Sequence, residues 1–254
     1  MTLSWRALDT VGGLPGGLLR VDEHDQNIVG AFTTRLGGVA GDLDLSLRST
    51  TDEAEVRSNR DRLCSQLGLP EDSWTLGEQV HGAGVHLVAD EDRGAGRADH
   101  PSAIPGVDAL WTETPGVSLV VLTADCVPIL IKDPARARIA AVHAGWRGVV
   151  AGVIEETLAA FGATPTTTAH IGPSIGPCCY QVGDDVLEPA MAAFGDRVRS
   201  GDRLDLWTAA RLALMGAGVR SIDLAALCTR CEPERFFSHR AGATGRQAAI
   251  IGMR

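Results

Sequence analysis

SLVVLTADCVPILIKDPARARIAAVHAGWRG, residues 118–148, is the stretch from which the fold is read. Ser118–Thr123, Val127–Ile131 and Arg138–Val142 are short apolar runs with the length and β-branched content of strands buried on both faces. Lys132-Asp133-Pro134-Ala135-Arg136-Ala137 separates the last two and reads as a turn, so those runs form an antiparallel hairpin. A turn centred between Pro134 and Ala135 sets Cys126 opposite His143 at the open end, with Cα atoms roughly 4.5–5.5 Å apart. A thiolate and an imidazole so placed can share a tetrahedral metal, with Zn–S near ~2.3 Å and Zn–N near ~2.0–2.1 Å. A slip of one residue would send the two side chains to opposite faces.

Beyond the hairpin, His143-Ala144-Gly145-Trp146-Arg147-Gly148 leads into an amphipathic helix, Val149–Phe161, ended by Gly162. Such a helix start offers free N–H groups and a favourable field to an anion. A third metal ligand is sought among the other histidines. His81, in Glu78-Gln79-Val80-His81-Gly82, is the best placed, because Gly82 permits close approach. His24 and His100 lie in polar loops, His86 alternates within a strand, and His170 and His239 remain open.

The rest of the chain gives a strand at Ile28–Thr33 and a turn at Leu36–Val39. A helix spans Asp52–Leu67, with Thr51 or Asp52 as its cap and Gly68 as its stop. Residues 89–106 are polar and rich in Gly and Pro, a surface loop. A strand ends at His170-Ile171-Gly172, helices follow at Asp184–Phe194 and Asp205–Gly216, and a strand closes the chain at Ala248–Gly252. Strands and helices alternate without regular βαβ spacing, so the expected fold is an α/β (α+β) sandwich with a mixed β-sheet, in one domain over residues 1–254.

A formal net charge of −9 disfavours nucleic acid and anionic membranes; the two small arginine clusters, Arg57–Arg62 and Arg235–Arg246, read as solvated faces or loops. Glycines and a proline interrupt Met1–Arg20, and no run approaches the ~18 apolar residues of a membrane span, so a cytoplasmic enzyme is expected. Six cysteines in 254 residues do not make a disulfide scaffold. Cys64 and Cys126 are isolated and Cys178 and Cys179 adjacent. Cys228 and Cys231 form a C-x-x-C, half of a structural zinc site with no second pair at suitable spacing. No thioredoxin-like βαβ context supports a redox role for them.

QVHG (79–82), TADCVPIL (123–130), AVHAGWRG (141–148), GPSIGPCCYQVG (172–183) and FFSHR…TGR (236–246) together resemble the ordered motif set of the YfiH, or laccase-domain, family. The resemblance runs from FTTRLGG (32–38) to the final strand. It implies metal ligands at His81, Cys126 and His143, and a mixed-sheet sandwich related to the catalytic domains of cytotoxic necrotizing factors. It also implies phosphorolysis of adenosine, inosine, guanosine and 5′-methylthioadenosine, and deamination of adenosine. Asp44-Leu45-Ser46-Leu47 and the shortened run to Asn59-Arg60 depart from the family pattern, in a loop that bears on substrate range if it meets the substrate.

Three protein ligands on Zn2+ (or Cu2+) leave one position open for chemistry. Asp125, beside Cys126, is the candidate proton carrier, or else a carboxylate that orients a histidine. Phosphate calls for guanidinium groups, and Arg60, Arg147 and Arg246 lie in motif segments, with Arg60 the favoured catalytic and substrate-binding residue. Tyr180 or Phe237 could stack on a purine, although core packing suits either. The expected partners are a nucleoside and phosphate, for a monomer or small homo-oligomer. One competing reading is a copper-dependent polyphenol oxidase, though a multicopper enzyme needs several copper sites and this chain has only seven histidines. The other makes Cys126 a nucleophile activated by His143, in an amidase or deamidase that edits a cell-wall precursor.

Overall fold

The computed structural model describes residues 18–21, 27–39, 41–48 and 52–254. The glycine-interrupted start before residue 18, His24 and the alternative cap Thr51 lie outside the described residues. The strands in chain order are β1 (Leu18–Val21), β2 (Ile28–Thr33), β3 (Trp74–Leu76), β4 (Val85–Leu87) and β5 (Ala109–Thr112). They continue with β6 (Ser118–Thr123), β7 (Val127–Asp133), β8 (Arg138–Ala144) and β9 (Thr168–Ile171). Last come β10 (Arg199–Ser200), β11 (Arg203–Leu204), β12 (Ser221–Leu224) and β13 (Gln247–Met253). The helices are α1 (Glu53–Leu67), α2 (Trp146–Val150), α3 (Val153–Phe161), α4 (Asp184–Phe194) and α5 (Leu206–Gly216).

Two mixed sheets pack face to face, one in the order β1-β2-β13-β6-β3 and the other β12-β9-β7-β8-β5-β4. The pairs β3–β6, β4–β5 and β9–β12 are parallel and the rest of these ladders antiparallel. Phe32, Leu119, Val121, Leu130, Ala141 and Ile251 fill the layer between the sheets. On the outer face of the six-stranded sheet, Ile129, Ile131, Val142 and Ile171 pack on α3, α4 and α5. On the outer face of the five-stranded sheet, Val120, Ala31 and Ile250 pack on Leu63 and Leu67 of α1. Every central strand is thus covered on both faces, which is why its sequence is continuously apolar rather than alternating.

The hairpin forms in a register two residues from the expected one. Asp133 pairs with Arg138, Val127 with Ala144, and Pro128 with His143. The turn holds four residues: a 3-10 segment at Pro134–Arg136, then Ala137 in the left-handed region at φ 49°. Because side chains alternate with period two, an even slip keeps Cys126 and His143 on one face, now diagonal instead of opposite.

Asp52 caps α1 by accepting from the Glu55 N–H at 3.0 Å, and Gly68, left-handed at φ 65°, ends the helix. The expected helix at Val149–Phe161 is instead two helices, because Gly152 at φ 89° breaks it after the five-residue α2. Residues 89–106 are pinned: the Ile104 N–H donates to Leu76 O at 3.0 Å, the Leu76 N–H donates to Ala95 O at 2.9 Å, and Arg60 donates to the carbonyls of Gly96 and Arg97. Among the described residues, no helix is long and apolar enough to cross a membrane.

Candidate metal centre

The chain leaves the five-stranded sheet at the end of β6 and enters the six-stranded one at β7, crossing at Ala124-Asp125-Cys126. Asp125 makes the corner with φ 98°, a conformation that costs a non-glycine residue about 1–3 kcal/mol. Three bonds offset that cost. Its carboxylate accepts from Thr229 Oγ1 and from the Arg240 N–H, both at 2.7 Å, and its carbonyl accepts from the Ile175 N–H at 2.9 Å. Both Asp125 oxygens are engaged, neither of them by a histidine, and the histidine-orienting carboxylate is Asp108.

His81 arrives on the loop after β3. Gln79 zips that loop to the edge of β6, its Nε2 donating to Leu122 O at 2.8 Å and its Oε1 accepting from Leu122 N at 2.9 Å. Both Gln79 and His81 are left-handed, at φ 59° and 63°. The resulting bend turns three successive N–H groups onto one carboxylate, Asp108: Val80 at 3.1 Å, His81 at 2.9 Å and Gly82 at 2.7 Å. Asp108 Oδ1 also accepts from His143 Nδ1 at 2.8 Å, which leaves His143 Nε2 as the ligand nitrogen.

The three candidate ligand atoms of His81, Cys126 and His143 lie within 4.8 Å of one another. The two imidazole rings meet edge to face, with centroids 4.8 Å apart. A Cβ at Gly145 would stand 2.9 Å from His81 Cδ2 and 3.2 Å from Cys126 Sγ, so only glycine leaves room there for two converging ligands. At Gly148 a Cβ would meet Gly82 O at 2.8 Å, whereas a Cβ at Gly82 would make only ordinary contacts at 3.5 Å and beyond, so the close approach expected at Gly82 is provided by Gly148.

The electrostatics match this geometry. Burial opposes ionisation of Cys126, but the adjoining His143 and His81 outweigh it and hold the thiol down at about 6. Burial likewise disfavours a charged His143, but Cys126 and Asp108 raise it to about 9. Asp108 itself is 1% exposed; burial alone would raise it, yet bonds from His143, Gly82 and His81 keep it below the usual carboxylate range. Cys126 and His143 thus favour each other's charged forms, and a soft dication can replace the proton between them.

Arg147, exposed on α2, lies over the Trp146 ring at 4.5 Å. Tyr180 is half-buried, with Arg240 5.3 Å over its ring. Burial and the negative charges of Cys126 and Asp125 push the Tyr180 hydroxyl up to about 12, partly countered by Arg240 and Arg147. The charges of Cys126, Asp125, Arg147 and Arg240 thus all reach the Tyr180 hydroxyl. Arg246 is half-buried and its Nη1 is spent on the carbonyls of Thr244 and Gly245. Phe237 is buried at 3% exposure and packs under Gly245, as core.

Arg60 requires a correction. It is 3% exposed on α1, and Nε and Nη2 both donate to Leu45 O while Nη1 donates to Gly96 O and Arg97 O. Its guanidinium lies over Trp74 at 5.1 Å, and burial lowers it to about 10. A guanidinium whose donors are spent on backbone carbonyls braces two loops and has little left for phosphate. Asp108 and Arg240 went unselected in the sequence. The signal for Asp108 was a lone acid directly before the apolar strand Ala109–Thr112, and Arg240 stood in the quoted FFSHR segment.

The sequence profile described as multi-copper polyphenol oxidoreductase laccase matches residues 29–254. The chain is 39% identical over 247 residues to purine nucleoside phosphorylase YlmD of Geobacillus stearothermophilus, covering 89% of this chain and 90% of that protein. It is 37% identical over 238 residues to purine nucleoside phosphorylase YfiH of Escherichia coli, covering 89% and 94%. The crystal structure of hypothetical protein YfiH from Bacillus licheniformis superposes with a TM-score of 0.88 at 32% identity, covering 94% of this chain and 97% of that one. That of Geobacillus stearothermophilus YlmD gives 0.86 at 37% identity, covering 94% and 96%. A match over nearly all the described residues, together with relatives this similar along most of their length, places the chain in the laccase-domain family that contains the YfiH and YlmD proteins.

Proposed function

We propose that this chain is a single-domain, zinc-dependent purine nucleoside phosphorylase that also deaminates adenosine and cleaves 5′-methylthioadenosine. The observation that carries the reading is the convergence of one sulfur and two imidazole nitrogens within 4.8 Å, in a chain 39% identical to a protein named purine nucleoside phosphorylase YlmD. The donor set fits zinc: His143 is oriented from behind by Asp108, Cys126 is held as thiolate, and Gly145 gives the ligands space. Bound there with one position open, zinc would supply a Lewis acid and a water activated towards a pKa of ~7.

The chain's own residues do the remaining work. Phosphorolysis needs a phosphate dianion held beside the ribose C1′, its oxygen bonding to C1′ as the C1′–N9 bond breaks and the purine departs with the bonding electrons and takes up a proton. Arg147, exposed on α2, is the guanidinium we assign to that anion, with Arg240 assisting through the donors left after its Nη1 donates to Gln181 O at 2.7 Å. Tyr180, kept protonated by its neighbours, can donate a hydrogen bond to the purine or ribose while its ring offers a stacking face. Asp125 holds the corner that aims Cys126 through its bonds from Thr229 and the Arg240 N–H. Adenosine and phosphate, followed by chromatography, test the reading: adenine and ribose 1-phosphate should form, with inosine from deamination. No product from the wild-type chain, or equal turnover by His81→Ala and Cys126→Ser, would defeat it.

A second reading is favoured by one specific observation, the approach of Cys126 Sγ and the His143 imidazole to within 4.8 Å, each favouring the other's charged form. It makes Cys126 the nucleophile of an amidase. Chelation separates the two: a thiol enzyme survives metal removal and dies on alkylation, whereas a zinc enzyme dies on chelation and recovers with zinc. Metal analysis after purification without added copper decides between zinc and the copper oxidase chemistry of the family description.

A further inference from the structure

Cys228-x-x-Cys231 has the form of half a zinc site, and the sequence offered it no partner pair. The fold supplies one. Ser174 and Cys228 form a parallel bridge, which lays the segment after β9 beside the segment after β12. The tight turn closed by Cys179 N to Gly176 O at 2.9 Å then delivers the adjacent cysteines 178 and 179 to the C-x-x-C. Cys231 Sγ lies 3.5 Å from Cys178 Sγ and 3.4 Å from Cys179 Sγ, and all four sulfurs fall within 4.8 Å of one another. None of the six cysteines is in a disulfide. We propose that Cys178, Cys179, Cys228 and Cys231 form a second metal site, a four-thiolate structural zinc site separate from the His81–Cys126–His143 centre.

The dimensions favour one ion. A tetrahedral zinc with Zn–S near ~2.3 Å holds its sulfurs about 3.8 Å apart, close to the spacing found. A cluster of two irons with bridging sulfides would hold opposite thiolates farther apart than 4.8 Å allows. Cys228 Sγ accepts the Gly176 N–H at 3.2 Å, the kind of backbone bond that stabilises a ligating thiolate. Gathered thiols oppose one another's ionisation, and a dication removes that opposition as each bound thiol gives up its proton.

Such a clamp would act on the wall of the first site. Cys179 is followed by Tyr180, and Cys228 by Thr229, which donates to Asp125. Zinc at the four cysteines would therefore lock the Tyr180 turn to the strap that fixes the corner of Cys126. It is a positioning device, and it does not depend on which reaction the first centre performs.

The test is metal stoichiometry on the full chain, expressed with added zinc chloride and purified anaerobically in reductant. Wild type should hold two equivalents of zinc. His81→Ala/His143→Ala should hold one, and so should Cys228→Ser/Cys231→Ser. Cobalt loaded into the His81→Ala/His143→Ala chain should give the strong visible bands and sulfur-to-cobalt charge transfer of a tetrahedral thiolate site. That spectrum keeps the test open if the double serine variant does not fold. The proposal falls if His81→Ala/His143→Ala retains no zinc and shows no such spectrum. It also falls if the anaerobically purified wild-type chain carries a disulfide among these four cysteines.

Discussion

At the open end of the β7–β8 hairpin, Asp108 accepts from His143 Nδ1 and from the backbone N–H groups of Val80, His81 and Gly82. At the closed end, Asp133 accepts from Thr164 Oγ1 at 2.5 Å and Thr166 Oγ1 at 2.7 Å. Both carboxylates are buried, and in both cases hydrogen bonds overcome burial to hold the group below the usual range. A perturbed, buried acid therefore does not identify a site by itself. What separates the two is the far side of each donor. Behind His143 Nδ1 is a second nitrogen aimed at a thiolate, whereas behind each threonine hydroxyl is only a methyl-bearing carbon.

Removing the ligands at the open end tests the contrast most severely. Cys126→Ser, His81→Ala and His143→Ala should each abolish turnover and release one equivalent of zinc, while melting temperature changes far less. Retained activity with lost zinc would hand the open end to a different chemistry; retained zinc would unseat the trio as ligands.

Asp108→Asn should come next. Its amide can satisfy the loop or the histidine but not both. One orientation sets an NH2 against the N–H groups of Val80 and Gly82, and the other sets it against His143 and forces the opposite tautomer. A loss of ~10–100-fold in metal affinity or kcat/KM is expected, measured by competition with a chromophoric chelator and by initial rates. If Asp108→Asn costs only stability, as its counterpart at the closed end should, the two carboxylates are equivalent and the contrast fails.

How far the sequence reached follows the same division. Strands β6, β7, β8 and β13 were legible because burial on both faces leaves unbroken apolar runs. The hairpin register was not, since nothing in KDPARA shows that Ala137 takes φ 49° and lengthens the loop. The trio survived that error because an even slip preserves the face. Arg60 was assigned to phosphate because a motif shows that an arginine is present, not whether its donors face a pocket or the carbonyls of Leu45, Gly96 and Arg97. The partner of the C-x-x-C was hidden for a topological reason: Cys178 and Cys228 meet only through the bridge at Ser174.

Arg60→Met sharpens the line between frame and chemistry. It strands three carbonyls, each worth about 1–3 kcal/mol if left without a donor. At this chain length each kcal/mol lowers the melting temperature by roughly 2–4 °C. Calorimetry should therefore record a clear drop, while KM for phosphate at 25 °C stays unchanged. A large rise in that KM would return Arg60 to the substrate.

The smallest effect is expected at Asp133, and its sign follows from linkage. The folded pKa lies below the unfolded value of about 3.9, so the unfolded chain binds the proton more tightly. The stabilisation is fully present above pH ~4–5 and is lost as pH falls through the folded value, when protonation disrupts its acceptance from Thr164, Thr166 and the Ala135 N–H. Asp133→Asn should lower the urea midpoint at pH 7 and flatten its fall on acidification, with kcat and zinc content untouched. An Asp133→Asn chain as acid-sensitive as wild type would show that the closed end stores no pH-dependent stability. Loss of zinc in that variant would show that the two ends of the hairpin are coupled along its seven-residue strands, and the separation of frame from chemistry would have to be redrawn.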